Sequence, residues 1–248
     1  MSETAENNYS TRNFVAGEII SVDKPLGWTS FDVVKRLRGT LLRRLHKKKF
    51  KVGHAGTLDP LASGVMIITT GRATKLIDSL QGGVKEYIAE IALGATTPSF
   101  DLETEIDATY PTNHITCELV EEVLARFIGR IEQIPPAYSA CKIDGRRAYD
   151  MARAGETPEL KAKILVIDEI ELLDYSQQRI LIRVVCSKGT YIRALARDIG
   201  AALGSGGHLT NLRRTRVGEI RIADCMSVDQ AVDMIRNAPL APDDQDSV

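Results

Sequence analysis

Hydrophobic positions recur along this chain with two different periods, and the changes of period mark out its elements. Val33, Val34, Leu37, Leu41 and Leu45 stand at helical spacing, which leaves Lys35, Arg36 and Arg43 on the face turned to water. Thr29-Ser30 precede them as a helix-start signal, and Asp32 falls in the first turn, where the helix dipole favours an acid. The continuous apolar, β-branched run at residues 65–70, stopped by Gly71, reads as a buried strand. Tyr87, Ala89, Ile91 and Leu93 alternate with polar residues and share one strand face. Val120, Val123, Leu124, Phe127 and Ile128 mark a second helix, ended by Gly129.

Residues 163–173 and 179–186 form a pair of strands around the polar turn 174–178. The second strand leads through Ser187-Lys188-Gly189 into a helix at 190–203, and further strands follow the glycine-rich stretch 204–207. Groups of adjacent strands with helices between the groups predict an α+β fold and not a regular βαβ repeat.

The composition, 44% hydrophobic and 26% charged over 248 residues, is that of a globular chain able to bury a core without disulfides or metal. Cys117, Cys141, Cys186 and Cys225 form no C-x-x-C pair and have no histidine at zinc-ligand spacing, so they read as isolated buried thiols in a reducing compartment. The polar, acidic start is no signal peptide, and no apolar run approaches the roughly 18 residues of a membrane helix. The expectation is a cytoplasmic protein with one folded domain at 14–236 between disordered tails at 1–13 and 237–248. Net charge is only −1, yet residues 35–51 carry nine Lys or Arg and no acid. A neutral total can hide a basic face, although a charge run of this kind is also an ordinary solvated helix face.

Four segments combine glycines, a charged residue and the end of an element: D-K-P-L-G-W-T-S from Asp23, G-H-A-G-T-L-D-P-L-A-S-G from Gly53, Lys85-Glu86-Tyr87, and C-S-K-G-T-Y-I-R from Cys186. In the second, Gly53, Gly56 and Gly64 allow crowded or left-handed backbone and Pro60 stiffens the chain after Asp59. A catalytic carboxylate needs such fixed placement; the competing and commoner case is an aspartate that merely caps a turn before proline. No Gly-Lys-Ser/Thr follows the glycines and no G-x-S-x-G occurs, which weakens nucleotide hydrolase and esterase readings.

These four segments, with I-P-P-A-Y-S-A from Ile134 and K-I-D-G-R-R-A-Y from Lys142, resemble in order the motifs of TruB-type tRNA pseudouridine synthases, over residues 22–217. The resemblance implies the pseudouridine synthase fold, a largely antiparallel mixed sheet flanked by helices with the active-site cleft across it. It also implies conversion of uridine-55 in the T loop of tRNA to pseudouridine, with no cofactor and no metal. By the same resemblance Asp59 is the catalytic carboxylate, Arg193 the arginine beside it, and Tyr87 the ring that stacks on the target base. His54 takes part in holding the base out of the T loop, Tyr191 and Leu212 line the uracil pocket, and Lys24 and Lys75 contact phosphate or brace the site. For most of these the bland alternatives are a core tyrosine, a structural histidine or an exposed lysine.

Attack on the ribose, attack on the base and removal of a sugar proton all remain open to Asp59, and each requires the ionised form. The basic run, with Arg146, Arg147, Arg213 and Arg214, then becomes a candidate RNA-facing surface. About 30 residues after residue 217 are too few for the C-terminal PUA domain that many relatives carry, so the expectation is a stand-alone, monomeric catalytic domain of bacterial type with tRNA as its partner and no obligatory protein partner. The alternative is a non-catalytic RNA-binding or tRNA-folding module of the same fold. A small-molecule hydrolase using Asp59 and His54 has no oxyanion or metal motif to support it.

Overall fold

The computed structural model describes residues 9–139, 141–143, 145–156 and 158–245. The class is α+β, a mixed and mostly antiparallel sheet flanked by helices. The span read above as one domain falls into two compact units, Met1–Gly83 with Arg214–Val248, and Val84–Arg213.

In the first unit β1 (Ile19–Lys24) is followed by α1 (Ser30–Arg44), β2 (Val52–His54) and β3 (Ala62–Thr70). β1 and β3 pair antiparallel from Ile19 opposite Thr69 to Lys24 opposite Gly64, and β2 lies against residues 68–70 of β3. The helical stripe read from sequence is the buried one: Val33, Leu37 and Leu41 pack with Val22 of β1 and with Met66 and Ile68 of β3. The stripe also meets Val232 and Ile235 of a helix at Val228–Asn237, which the hydrophobic pattern did not predict. Its start was nevertheless written in the sequence, because Ser227 and Gln230 form a reciprocal capping box.

Part of the stretch expected to be an acidic tail also carries structure. Asp244 is buried, and its carboxylate accepts from the backbone N–H groups of Phe14 (2.7 Å) and Val15 (2.8 Å). A carboxylate that satisfies two backbone donors, one of them buried, holds a segment that has no hydrophobic period of its own. Residues 1–8 and 246–248 lie outside the described residues.

In the second unit β4 (Lys85–Leu93) pairs antiparallel with Arg179–Cys186, that strand with Lys163–Ser176, and that in turn with Gly129–Gln133. β4 alternates strictly, burying Lys85, Tyr87, Ala89, Ile91 and Leu93. The helix Cys117–Ala125 stops short of Phe127 and Ile128, because its last turn tightens into bonds from Arg126 to Val123 and from Phe127 to Leu124. The helix expected at 190–203 is Ile192–Ala202, and its N-cap residue is Tyr191. Among the described residues no helix is long and apolar enough to cross a membrane.

Candidate active site

The loop that carries Asp59 is pinned residue by residue. Ser30, the first residue of α1, reaches back with its hydroxyl to Leu58, accepting from its N–H at 2.8 Å and donating to its carbonyl at 2.9 Å. The Asp59 carbonyl accepts from Ala62 N–H (3.1 Å), and the Pro60 carbonyl accepts from Gly27 N–H (2.9 Å). On the other side, the guanidinium of Arg214 donates to the carbonyls of Gly56 (3.2 Å), Thr57 (3.4 Å) and Val65 (2.8 Å). Gly64 is required where it stands. Its φ is +110°, and a Cβ there would lie 2.2 Å from the Arg214 carbonyl oxygen.

Beneath this loop lies Lys24, at 0% exposure. Its ammonium donates to the carbonyls of Pro25 (3.0 Å) and Trp28 (2.5 Å), holding the turn between β1 and α1 closed. Burial pushes its pKa down to about 8; the Asp59 carboxylate pulls it back up and the Arg214 cation pushes it down further. The exposed lysine that the sequence offered as the bland reading of Lys24 is therefore corrected: the side chain is internal. Lys75, in the 3-10 helix Gly71–Leu76, is exposed.

His54 ends β2, and burial holds its imidazole below the usual histidine value, so it is neutral at pH 7. The first unit thus brings Lys24, His54 and Asp59 onto adjoining segments of one loop framework.

In the second unit Tyr87 is buried on β4 and Leu212 is buried on the strand Gly207–Val217. Tyr191 is fixed through its backbone, its N–H donating to Gln133 Oε1 (2.9 Å) and its carbonyl accepting from Gln133 Nε2 (3.2 Å). Arg193, in the first turn of its helix, is 4% exposed. Its guanidinium lies 3.5 Å from the Asp101 carboxylate and donates to the carbonyls of Ser99 (3.3 Å) and Tyr138 (2.9 Å). That burial makes Arg193 an internal charge, not a surface one.

Three residues with structural claims on the site escaped the sequence reading. From sequence Ser30 is only part of a helix-start signal, Asp101 carries no signal, and Arg214 reads as RNA-facing surface. Arg214 is 2% exposed and belongs to the interior. Arg146 is exposed but already engaged by Glu156 at 2.7 and 3.0 Å, and the side chain of Arg147 lies outside the described residues, as do Ala140 and Asp144 of the motifs. The cations of α1 fare differently. Lys35, Arg36 and Arg43, with Gly27 and Trp28, line a groove of about 640 Å³ next to the turn that holds Pro60. Asp32 also lines it, but its carboxylate is occupied at the helix cap, accepting from Thr29 N–H (2.9 Å) and Thr29 Oγ1 (2.6 Å).

Among the described residues no group of three or more His, Cys, Asp or Glu side chains is placed to hold a metal ion. Of the four cysteines only Cys186 is buried; there burial pushes its thiol up to about 11, making it an inert core residue.

Residues 43–192 match the family model described as TruB family pseudouridylate synthase (N terminal domain), and residues 193–244 match that of the tRNA pseudouridylate synthase B C-terminal domain. A protein of Phocaeicola vulgatus named tRNA pseudouridine synthase B is 70% identical over 217 residues, covering 88% of this chain and 92% of that one. One of the same name from Bacteroides thetaiotaomicron is 61% identical over 239 residues, covering 95% and 100%. A chain in a crystal structure of a Cbf5–Nop10–Gar1 complex superposes with a TM-score of 0.65 at 30% identity, with 89% of this chain covered. The match spans 55% of that solved chain. With the pinned aspartate loop in place and relatives of this identity over nearly their whole length, the chain belongs to the TruB family of pseudouridine synthases.

Proposed function

We propose that this protein isomerises uridine-55 in the T loop of tRNA to pseudouridine, with Asp59 as the catalytic carboxylate. The observation that carries the reading is the loop itself. Residues 56 to 60 each have a backbone group tied to a buried partner or to a neighbouring turn, and a buried ammonium lies within electrostatic reach of the one carboxylate they present. A turn-capping aspartate requires none of that investment in fixed geometry, whereas a reacting carboxylate does.

In the proposed reaction the bond between ribose C1′ and uracil N1 breaks, the base turns while still held, and C1′ bonds to C5. The C5 hydrogen leaves as a proton and N1 gains one, so nothing is oxidised and no group enters. Tyr87 is assigned to stacking on the target base, a contact worth about 1–3 kcal/mol per base. Tyr191 and Leu212 are assigned to the uracil pocket, and Arg193 to the charge partner of the reacting centre. Neutral His54 is assigned to holding the extruded base, because a neutral imidazole can both donate and accept. Lys24 braces the turn under Asp59, and exposed Lys75 is a phosphate contact. The α1 groove takes the RNA backbone, its three cations meeting phosphates.

The test is Asp59→Asn. The variant is expected to fold and to bind a T stem-loop with the affinity of the parent, while releasing no tritium from uridine labelled at C5. Retained tritium release by the folded variant overturns the assignment.

A further inference from the structure

Arg214 is a buried cation bonded to main-chain carbonyls on either side of Asp59. It is among the largest fully buried side chains of the protein, and among the described residues it has no salt bridge. A buried arginine usually faces a carboxylate, because an unpaired internal charge is costly. Here the guanidinium bonds three main-chain carbonyls of one segment: those of Gly56 and Thr57, just ahead of Asp59, and that of Val65, just beyond it. The fork of the side chain therefore spans the loop from entry to exit. Backbone geometry makes the same connection, with Gly64 packed against the Arg214 main chain so closely that no side chain fits.

We propose that Arg214 is a positioning residue for the isomerisation, clamping the two ends of the Asp59 loop so that the carboxylate is held at one place and one angle. The inference rests on Asp59 as the reacting group. It replaces the RNA-facing role that the basic sequence around Arg213-Arg214 suggests, since a side chain turned wholly inward meets no phosphate. A single planar fork with five donors fits three carbonyls in a fixed array; an ammonium on a flexible stem does not reproduce it. Displacement of a reacting group by about 1 Å costs up to roughly a hundredfold in rate.

The experiment uses the full chain with Arg214→Lys, which keeps the charge and loses the fork, and Arg214→Met, which loses both. Each is studied below its own melting temperature, so that only folded protein is compared. Two quantities are read: the single-turnover rate on a T stem-loop against the Kd for the same RNA, and amide hydrogen exchange of residues 56–62. Both variants are expected to lose roughly 10- to 100-fold in rate with Kd altered less than about threefold, and to exchange the Leu58 and Ala62 amides faster than the rest of the unit. Lysine is expected not to rescue. If Arg214→Met does not fold, Arg214→Lys alone decides.

An unchanged rate in either folded variant overturns the proposal, as does a rise in Kd that accounts for the loss, which would make Arg214 an RNA contact. Exchange that rises evenly over the whole unit with the rate preserved marks a purely structural residue. Because loop exchange does not depend on which carboxylate reacts, a loosened loop with full activity condemns the role of Arg214, while Asp59→Asn separately decides the reading beneath it.

Discussion

At the scale of single residues, the charges next to the loops of this protein are buried and coupled. Lys24 titrates near 8 in the fold, against 10.5 for the free side chain. A lysine whose folded pKa is depressed favours the folded state more as it deprotonates. Between about pH 8 and 10.5 the unfolded chain binds more protons at this position, so the contribution of Lys24 to stability rises through that window and is flat below it. Thermal melts of the parent and of Lys24→Met at pH 7 and pH 10 are expected to show a gap that shifts in favour of the parent at the higher pH; a gap independent of pH refutes the coupling. Asp59 raises the Lys24 pKa, so in Asp59→Asn the same transition moves to lower pH. Arg193 and Asp101, with side chains 5% and 6% exposed, form the corresponding pair in the second unit. Replacing Asp101 by Ala removes a counter-charge from a buried guanidinium and is expected to cost about 3–5 kcal/mol in urea denaturation. A loss below about 1 kcal/mol shows that the pair contributes little.

Elements divide the work between neighbouring residues that look interchangeable in sequence. Thr29 and Ser30 both have hydroxyls at the start of α1, but they do different jobs. Thr29 is the cap, accepting from Asp32 N–H at 3.0 Å, while Ser30 is bonded to Leu58, 28 residues along the chain. Thr29→Ala is expected to cost about 0.5–2 kcal/mol of stability and leave the rate of the folded enzyme untouched. Ser30→Ala is expected to lower the rate as well, because it frees the buried N–H and carbonyl of the residue before Asp59. Equal rates for the two variants would remove Ser30 from the site. This pair also shows how far the sequence is legible. The stripe from Val33 to Leu45 and the alternation from Tyr87 to Leu93 gave α1 and β4 from period alone, because burial of one face enforces the period. The caps at Thr29 and Ser227 are local and readable. Contacts such as Ser30 to Leu58, Arg214 to Gly56 and Asp244 to Phe14 join residues 28, 158 and 230 positions apart. They depend on strand order, and no local pattern distinguishes them from surface polarity. Hence Asp59 was found through its motif, while the residues that fix it were not.

For the molecule as a whole, a net charge of −1 and a pI near 6.5 give no general attraction to RNA, so affinity must come from where the cations lie. Many are already neutralised: Arg146 by Glu156, Arg126 by Glu122, Arg183 by Glu86 and Glu169. Lys35, Arg36 and Arg43 have no ion-pair partner among the described residues and share one groove, whose single acid is engaged at the α1 cap. If these three meet phosphates, each adds roughly 0.7–0.9 to the slope of log affinity against log salt. Changing all three to Gln is expected to flatten that slope by about 2–3 for a T stem-loop, raise KM at physiological salt, and leave the rate at saturating RNA unchanged. Arg146→Gln serves as the contrast, since its charge is already answered by a carboxylate and its loss should not flatten the slope. An unaltered slope in the triple variant moves the RNA path off α1; a lowered saturating rate ties these cations to the Asp59 loop through α1 itself.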